Sequence, residues 1–346
     1  MSISDYHASV GDWREQLKKN ERKTRGVIAL FFLIYLAVGL IADTFILQTF
    51  YTRTAQVHLS LEQCLYALIS FKVVPYATLL MGGFALVSLW ITYALYDRIM
   101  LLGTEYHEVT PETAQSLQEK QLYNVVEEMK VAAGLQYMPK VFIIEADYMN
   151  AFASGYSEQS AMVAITRGLM VKLDRQELQA VMAHELSHIR HHDIKLTLMV
   201  AVLSNILLIV VDILFYSVLF RRDDRREDNR LVMVIVVLRY VLPMITVLLT
   251  LFLSRTREYM ADSGSVELMR DNEPMARALL KISDDHQVNA EQYAQEYGNT
   301  AHEQVRQASY LFDPSDIDPV KSLNSAFSTH PSIQQRLAAL GFKFKA

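Results

Sequence analysis

The chain has 346 residues, 51% of them hydrophobic, with a positive mean hydropathy and a formal net charge of −5. That length leaves room for more than one unit, and the apolar share is too high for an ordinary soluble protein. The acidic balance, without a basic stripe, points away from nucleic acid, and the single cysteine, Cys64, excludes an internal disulfide and a cysteine-based metal site.

In chain order, residues 1–25 read as a polar, helical lead containing Lys18, Lys19, Arg22, Lys23 and Arg25. Four apolar stretches are spread along the rest: 26–47, with Asp43 near its end; 73–95, without a charge; 197–220, holding only Asp212; and 231–253, holding only Arg239. Each approaches the ~20 residues a membrane-spanning helix needs, and four together argue against buried helices of a soluble enzyme. The first starts late and lacks a small-residue cleavage site, so it does not read as a signal peptide. The cations before it, and Arg98 after the second, place the N-terminus and everything beyond Leu95 in the cytoplasm and the 48–72 loop outside. Trp13 and Trp90 suit interfacial anchoring. Pro111 and Glu112 predict the opening of a helix that runs to Ala133, and 140–145 reads as a strand.

The chemistry begins at His184-Glu185-Leu186-Ser187-His188. In this H-E-x-x-H pattern the two histidines, four apart on a helix, share a face about 6 Å apart along the axis. They can hold one Zn²⁺, and the intervening Glu185 can reach the water that such an ion activates. Asp174 and Glu177 read as an N-cap and its N3 partner, and Leu178, Val181, Met182 and Leu186 form an apolar stripe at helical spacing. The motif therefore belongs on a helix starting near Arg175.

A hydrolytic zinc site usually has a third protein ligand. Glu258 is the candidate, with Asp262 one turn on to accept the free N–H of a ligand histidine; E-x-x-x-D also reads as a solvated acidic helix face. His191 and His192 read as helix-end histidines, with Asp193 beside them. Because His184 and His188 precede the third and fourth apolar stretches and Glu258 follows them, the two stretches must go into the membrane and return. Their turn, 221–230, carries five arginines, against the positive-inside trend, so either the zinc site overrides that bias or the hairpin only dips into the bilayer or stands partly clear of it. Asp212 and Arg239 lie equally far from the turn centre, which suggests an intramembrane ion pair.

These blocks together resemble the M48 family of zinc peptidases, in its bacterial membrane-bound HtpX-like branch. The segment Asn150, Ala151, Phe152, Ala153 resembles the family's N-A-F-A stretch, the residues around Val163 its strand before the catalytic helix, and Ser328, Thr329, His330, Pro331 and Arg336 its T-H-P…R stretch. The hydrophilic segment 284–318 is longer than the resemblance requires.

The resemblance implies an α-rich α+β fold: a zincin-like metallopeptidase domain with two transmembrane helical hairpins, hence four hydrophobic spans. The expected division is 1–25, a cytoplasmic lead; 26–97, the first hairpin; and 98–346, the zinc peptidase domain, with the second hairpin inserted at 194–253. One Zn²⁺ per chain would be bound by His184, His188 and Glu258, with Asp262 supporting a ligand. Glu185 would be the general base. His330, which by itself reads as an ordinary helix-start His-Pro, becomes a donor to the oxyanion, with Arg336 beside it. Asn150, Ala151, Phe152, Ala153 and Val163 would bind substrate main chain by strand addition. The implied activity is membrane-embedded endopeptidase work on misfolded or damaged membrane proteins, in a bacterial inner membrane, with a cytoplasmic site and partners limited to polypeptides and the lipid bilayer. A catalytically silent membrane scaffold is the alternative, and an intact Glu185 argues against it. A transporter using Asp43, Asp212 and Arg239 is the weaker third reading, since no repeated half is evident.

Overall fold

The computed structural model of the chain describes residues 3, 6–8, 13–57, 59–101, 105–155, 157–220, 229–299, 310–312 and 330–344. Ser328, Thr329 and most of the charged turn at 221–230 lie outside them. In order come β1 (Tyr6–Ala8), α1 (Trp13–Thr54), α2 (Leu61–Ile69), α3 (Tyr76–Leu101), β2 (Tyr106–Val109), α4 (Leu117–Ala133), β3 (Lys140–Ile144), β4 (Ala151–Ser154), β5 (Met162–Thr166), α5 (Arg167–Lys172) and α6 (Arg175–Arg190). They are followed by α7 (Asp193–Leu219), α8 (Asn229–Met269), α9 (Glu273–Val288), α10 (Ala290–Asn299), α11 (Ile333–Ala339) and β6 (Phe342–Phe344). The chain is helix-rich with small sheets.

It divides into two compact units. The first comprises Met1–Thr24, Tyr93–Thr197 and Leu251–Ala346. Its four-stranded sheet has the order β2-β3-β5-β4: β3 and β5 run parallel, and the outer pairings are antiparallel. A second, two-stranded sheet pairs β1 with β6 and so ties the N-terminal lead to the C-terminus, where Gln16 Nε2 also donates to Ala339 O at 2.8 Å. The helix α6 packs against α4, α9 and β4. Its start follows the predicted capping box: Asp174 accepts from Glu177 N and Glu177 returns the bond to Asp174 N, both at 2.9 Å. The expected helix at Pro111 starts later. Residues 111–113 form a turn, and α4 begins at Leu117, capped by Ser116 Oγ on Glu119 N; Gly134, at φ 72°, ends it. A hydroxyl that can cap outranks a proline that only tolerates the first turn.

The second unit, Arg25–Thr92 and Leu198–Thr250, is packed through Tyr35, Val38, Met81, Ala85, Leu203, Leu207 and Leu242, among others. Among the described residues three helices are long and apolar enough to cross a membrane: the ones at Arg14–Thr54, Asp193–Leu219 and Arg230–Met269. The expected fourth span is corrected to a shorter apolar helix, Tyr76–Thr92. Its start is fixed by Asp43, buried on α1. The Asp43 carboxylate accepts from Ala77 N at 2.7 Å, Thr78 N at 3.0 Å and Thr78 Oγ1 at 2.7 Å. This caps the exposed amides of α3 and removes three residues from the apolar stretch. The anticipated pair is present: Arg239 Nε lies 2.6 Å from Asp212 Oδ1.

Candidate active site

Two helices of the first unit bring the chemistry together. His184, Glu185 and His188 lie on α6, Glu258 and Asp262 on α8, and all five are buried. Small residues let the two backbones approach. Ser265 Oγ donates to Ala180 O at 2.8 Å, and a Cβ placed on Gly264 would stand 2.3 Å from Ser187 Oγ. A side chain at 264 would push the helices apart.

His184 Nε2 and His188 Nε2 are 3.2 Å apart, and each lies 3.7 Å from a Glu258 carboxylate oxygen. One atom from each residue falls within 4.8 Å of the other two. Donors about 2.0–2.2 Å from one tetrahedral ion stand about 3.4 Å apart, so this spacing suits a cation. The protonation pattern argues the same way. His184 Nδ1 faces Asp262 Oδ1 at 3.0 Å, and His188 Nδ1 faces Asp193 Oδ2 at 2.8 Å. Each carboxylate can only accept, so each Nδ1 carries the proton and each neutral ring turns its Nε2 lone pair inward. Two lone pairs 3.2 Å apart repel unless a positive charge lies between them. Glu258 Oε2, buried, makes no hydrogen bond among the described residues.

Burial holds His184 below the usual histidine range. Burial acts in the same direction on His188, but the Asp193 hydrogen bond and the nearby carboxylates overcome it and raise that ring. Glu185 has both carboxylate oxygens buried, with no hydrogen-bond partner among the described residues. Its burial pushes it up to about 7. A carboxyl poised near neutrality suits a proton carrier.

Arg336, on α11, is fully buried behind this group. Its Nε and Nη2 hold Asp262 in a two-point grip at 2.9 and 2.6 Å, and its Nη1 donates to Leu311 O at 2.8 Å. Its Nη1 also lies 3.5 Å from Glu258 Oε2. His330 is buried with Nδ1 3.4 Å from Glu258 Oε2. His191 caps the C-terminus of α6, and neither it nor His192 joins the three-residue group. Asp193 is the partner that sequence reasoning assigned to the helix end. Asking where the second nitrogen of His188 finds its acceptor would have located it.

The substrate-binding expectations need two corrections. Val163 lies in β5, which is paired on both sides, with Val141 of β3 and Ala153 of β4, so it has no edge to offer. Asn150 is buried with its side chain fully engaged: Nδ2 donates to Phe312 O at 3.0 Å, and Oδ1 accepts from Ala151 N at 3.0 Å and Phe312 N at 3.3 Å. Phe152 packs its ring in a core with Tyr148, Tyr297 and Tyr310. Of the predicted group, only β4 provides a sheet edge.

The sequence pattern of peptidase family M48 matches residues 116–341. A "Protease HtpX homolog" of Helicobacter pylori (strain Shi470) is 40% identical over 324 residues, covering 94% of this chain and 96% of the relative. Its namesake in Streptococcus uberis is 29% identical over 334 residues, 94% of this chain and 98% of the relative. The crystal structure of S. mikatae Ste24p aligns with 75% of this chain and 57% of its own, at 20% identity and a TM-score of 0.48.

Proposed function

The chain belongs to peptidase family M48, and from that premise we propose that it is an integral membrane zinc endopeptidase. The observation behind this reading is the meeting of two inward-turned imidazole lone pairs and one carboxylate, each imidazole backed by its own acceptor, beside a buried glutamate with open oxygens. Zinc held by His184, His188 and Glu258 would supply a Lewis acid for the scissile carbonyl and draw a water's pKa toward neutrality.

The remaining work falls to the chain's own groups. Glu185 takes a proton from the attacking water and returns it to the leaving amine. His330 donates to the oxyanion that forms as the carbonyl is attacked. Asp262 and Asp193 fix the tautomers of the two histidines, and Arg336 positions Asp262. The edge of β4 at Ala153 pairs with substrate main chain, which gives broad specificity for unfolded segments. Misfolded or damaged membrane proteins are the substrate class we favour, given the three apolar helices and relatives named as proteases.

We place the site in the cytoplasm of a bacterial cell, at its inner membrane. The lead that carries Lys18, Lys19, Arg22 and Lys23 belongs to the same compact unit as the site, and such a cluster stays inside.

The test is cleavage of casein and of a membrane-protein substrate by zinc-loaded protein and by Glu185→Gln. Loss of at least ~100-fold in rate, with chelator sensitivity in the parent, is the expected result. Equal, chelator-insensitive cleavage by both would overturn the reading.

A further inference from the structure

The edge on which a substrate would pair is already occupied at one end. Asn150 O accepts from Thr166 N at 2.9 Å, so Asn150 faces β5 and the alternating residues Ala151 and Ala153 face outward. Ala151 O takes Leu311 N at 2.9 Å, while Ala151 N is bonded to Asn150 Oδ1. One short segment, Tyr310–Leu311–Phe312, thus stands where the next strand of the sheet would lie.

Its anchoring is deep. Tyr310, Leu311 and Phe312 are all buried. The Tyr310 ring packs against Tyr148, Phe152 and Tyr297, and Phe312 stacks on His286 with ring centroids 4.4 Å apart. Asn150 grips the Phe312 backbone at both its N–H and its carbonyl, and Arg336 holds Leu311 O while holding Asp262. Displacing the segment would leave buried polar groups of Asn150 and Arg336 unpaired, which is costly.

We propose that Tyr310–Phe312 is a built-in segment that walls off one end of the β4 edge, so that a substrate's main chain pairs only from Ala153 outward and the number of residues bound on one side of the scissile bond is fixed. This rests on the peptidase reading and adds a specificity determinant to it. Among the described residues no backbone group pairs with Ala153 on its outward side. The aromatic residues that seat it come partly from α10, in the stretch longer than the resemblance requires.

The test uses the full-length protein carrying Glu185→Gln, loaded with zinc, and a peptide series built around a cleavage site mapped with the parent enzyme. Each peptide is lengthened one residue at a time on either side, and affinity is read by fluorescence anisotropy. Affinity is expected to rise with length on one side and to stop rising within about two residues on the other. Adding Leu311→Pro, which removes the N–H given to Ala151, is expected to restore about a fivefold gain on the stopped side, the equivalent of one backbone hydrogen bond. The Leu311 amide should keep its hydrogen-exchange protection when peptide binds. Gains continuing on both sides, or loss of Leu311 protection on binding, would overturn the wall. If Leu311→Pro does not fold, the length series and the exchange measurement decide alone. A parent enzyme that neither cleaves nor binds any peptide would overturn the peptidase reading and the wall with it, whereas cleavage with symmetric gains would overturn the wall only.

Discussion

Glu185 receives no hydrogen bond from the described residues, and its raised pKa has a consequence for stability. A carboxyl titrating near 4.5 when unfolded and about 7 when folded binds more protons in the native state between those values. Stability of the metal-free protein must therefore fall as pH rises through that window. Glu185→Gln removes the effect. The metal-free variant is expected to exceed the metal-free parent by about 3 kcal/mol above pH 7, with the difference vanishing below about pH 4.5; chemical denaturation across that range checks it. Asp193→Asn should weaken zinc affinity about 10–100-fold while leaving the fold intact, as measured by competition with a chromogenic chelator. The histidine pair and its glutamate are legible in the sequence because i,i+4 spacing is local. Arg336 and Leu311 are not, because the contacts that define their roles cross 74 and 160 positions to Asp262 and Ala151.

At the scale of elements, the capping box of α6 and the strand β3 follow from local sequence, since their signals lie within a few residues, whereas β5 is legible only through the family resemblance. The start of α4 does not, because Ser116 and Pro111 offer competing local signals and only the bonded cap settles them. The crossing of α6 with α8 is carried by Gly264, whose missing side chain leaves room for Ser187. Gly264→Ala is expected to destabilise the protein by about 1–3 kcal/mol and to lower zinc affinity, because overpacking here separates His184 and His188 from Glu258. Adding Ser187→Gly should recover part of both losses in thermal unfolding and metal titration. Equal stability of Gly264→Ala and the parent would mean that this close approach is not a constraint.

For the molecule as a whole, hydropathy alone misplaces where an apolar helix begins. Val73, Val74 and Pro75 are apolar yet precede the helix, and the buried carboxylate of Asp43 decides where α3 begins. Charge spacing does better: Asp212 and Arg239 meet as their equal distance from the turn requires. A double-mutant cycle of Asp212→Asn and Arg239→Gln, read by thermal unfolding in detergent, is expected to give a coupling of about 1 kcal/mol; additive effects would mean the pair does not set hairpin register. In the proposed centre, residues from two distant parts of the chain bind one zinc ion. Elemental analysis of the purified full-length protein, together with its His188→Ala and Glu258→Ala variants after equal exposure to zinc and dialysis, tests it most directly. One zinc per chain in the parent and substoichiometric zinc in both variants is predicted; full zinc retained by either variant, or none bound by the parent, would contradict it.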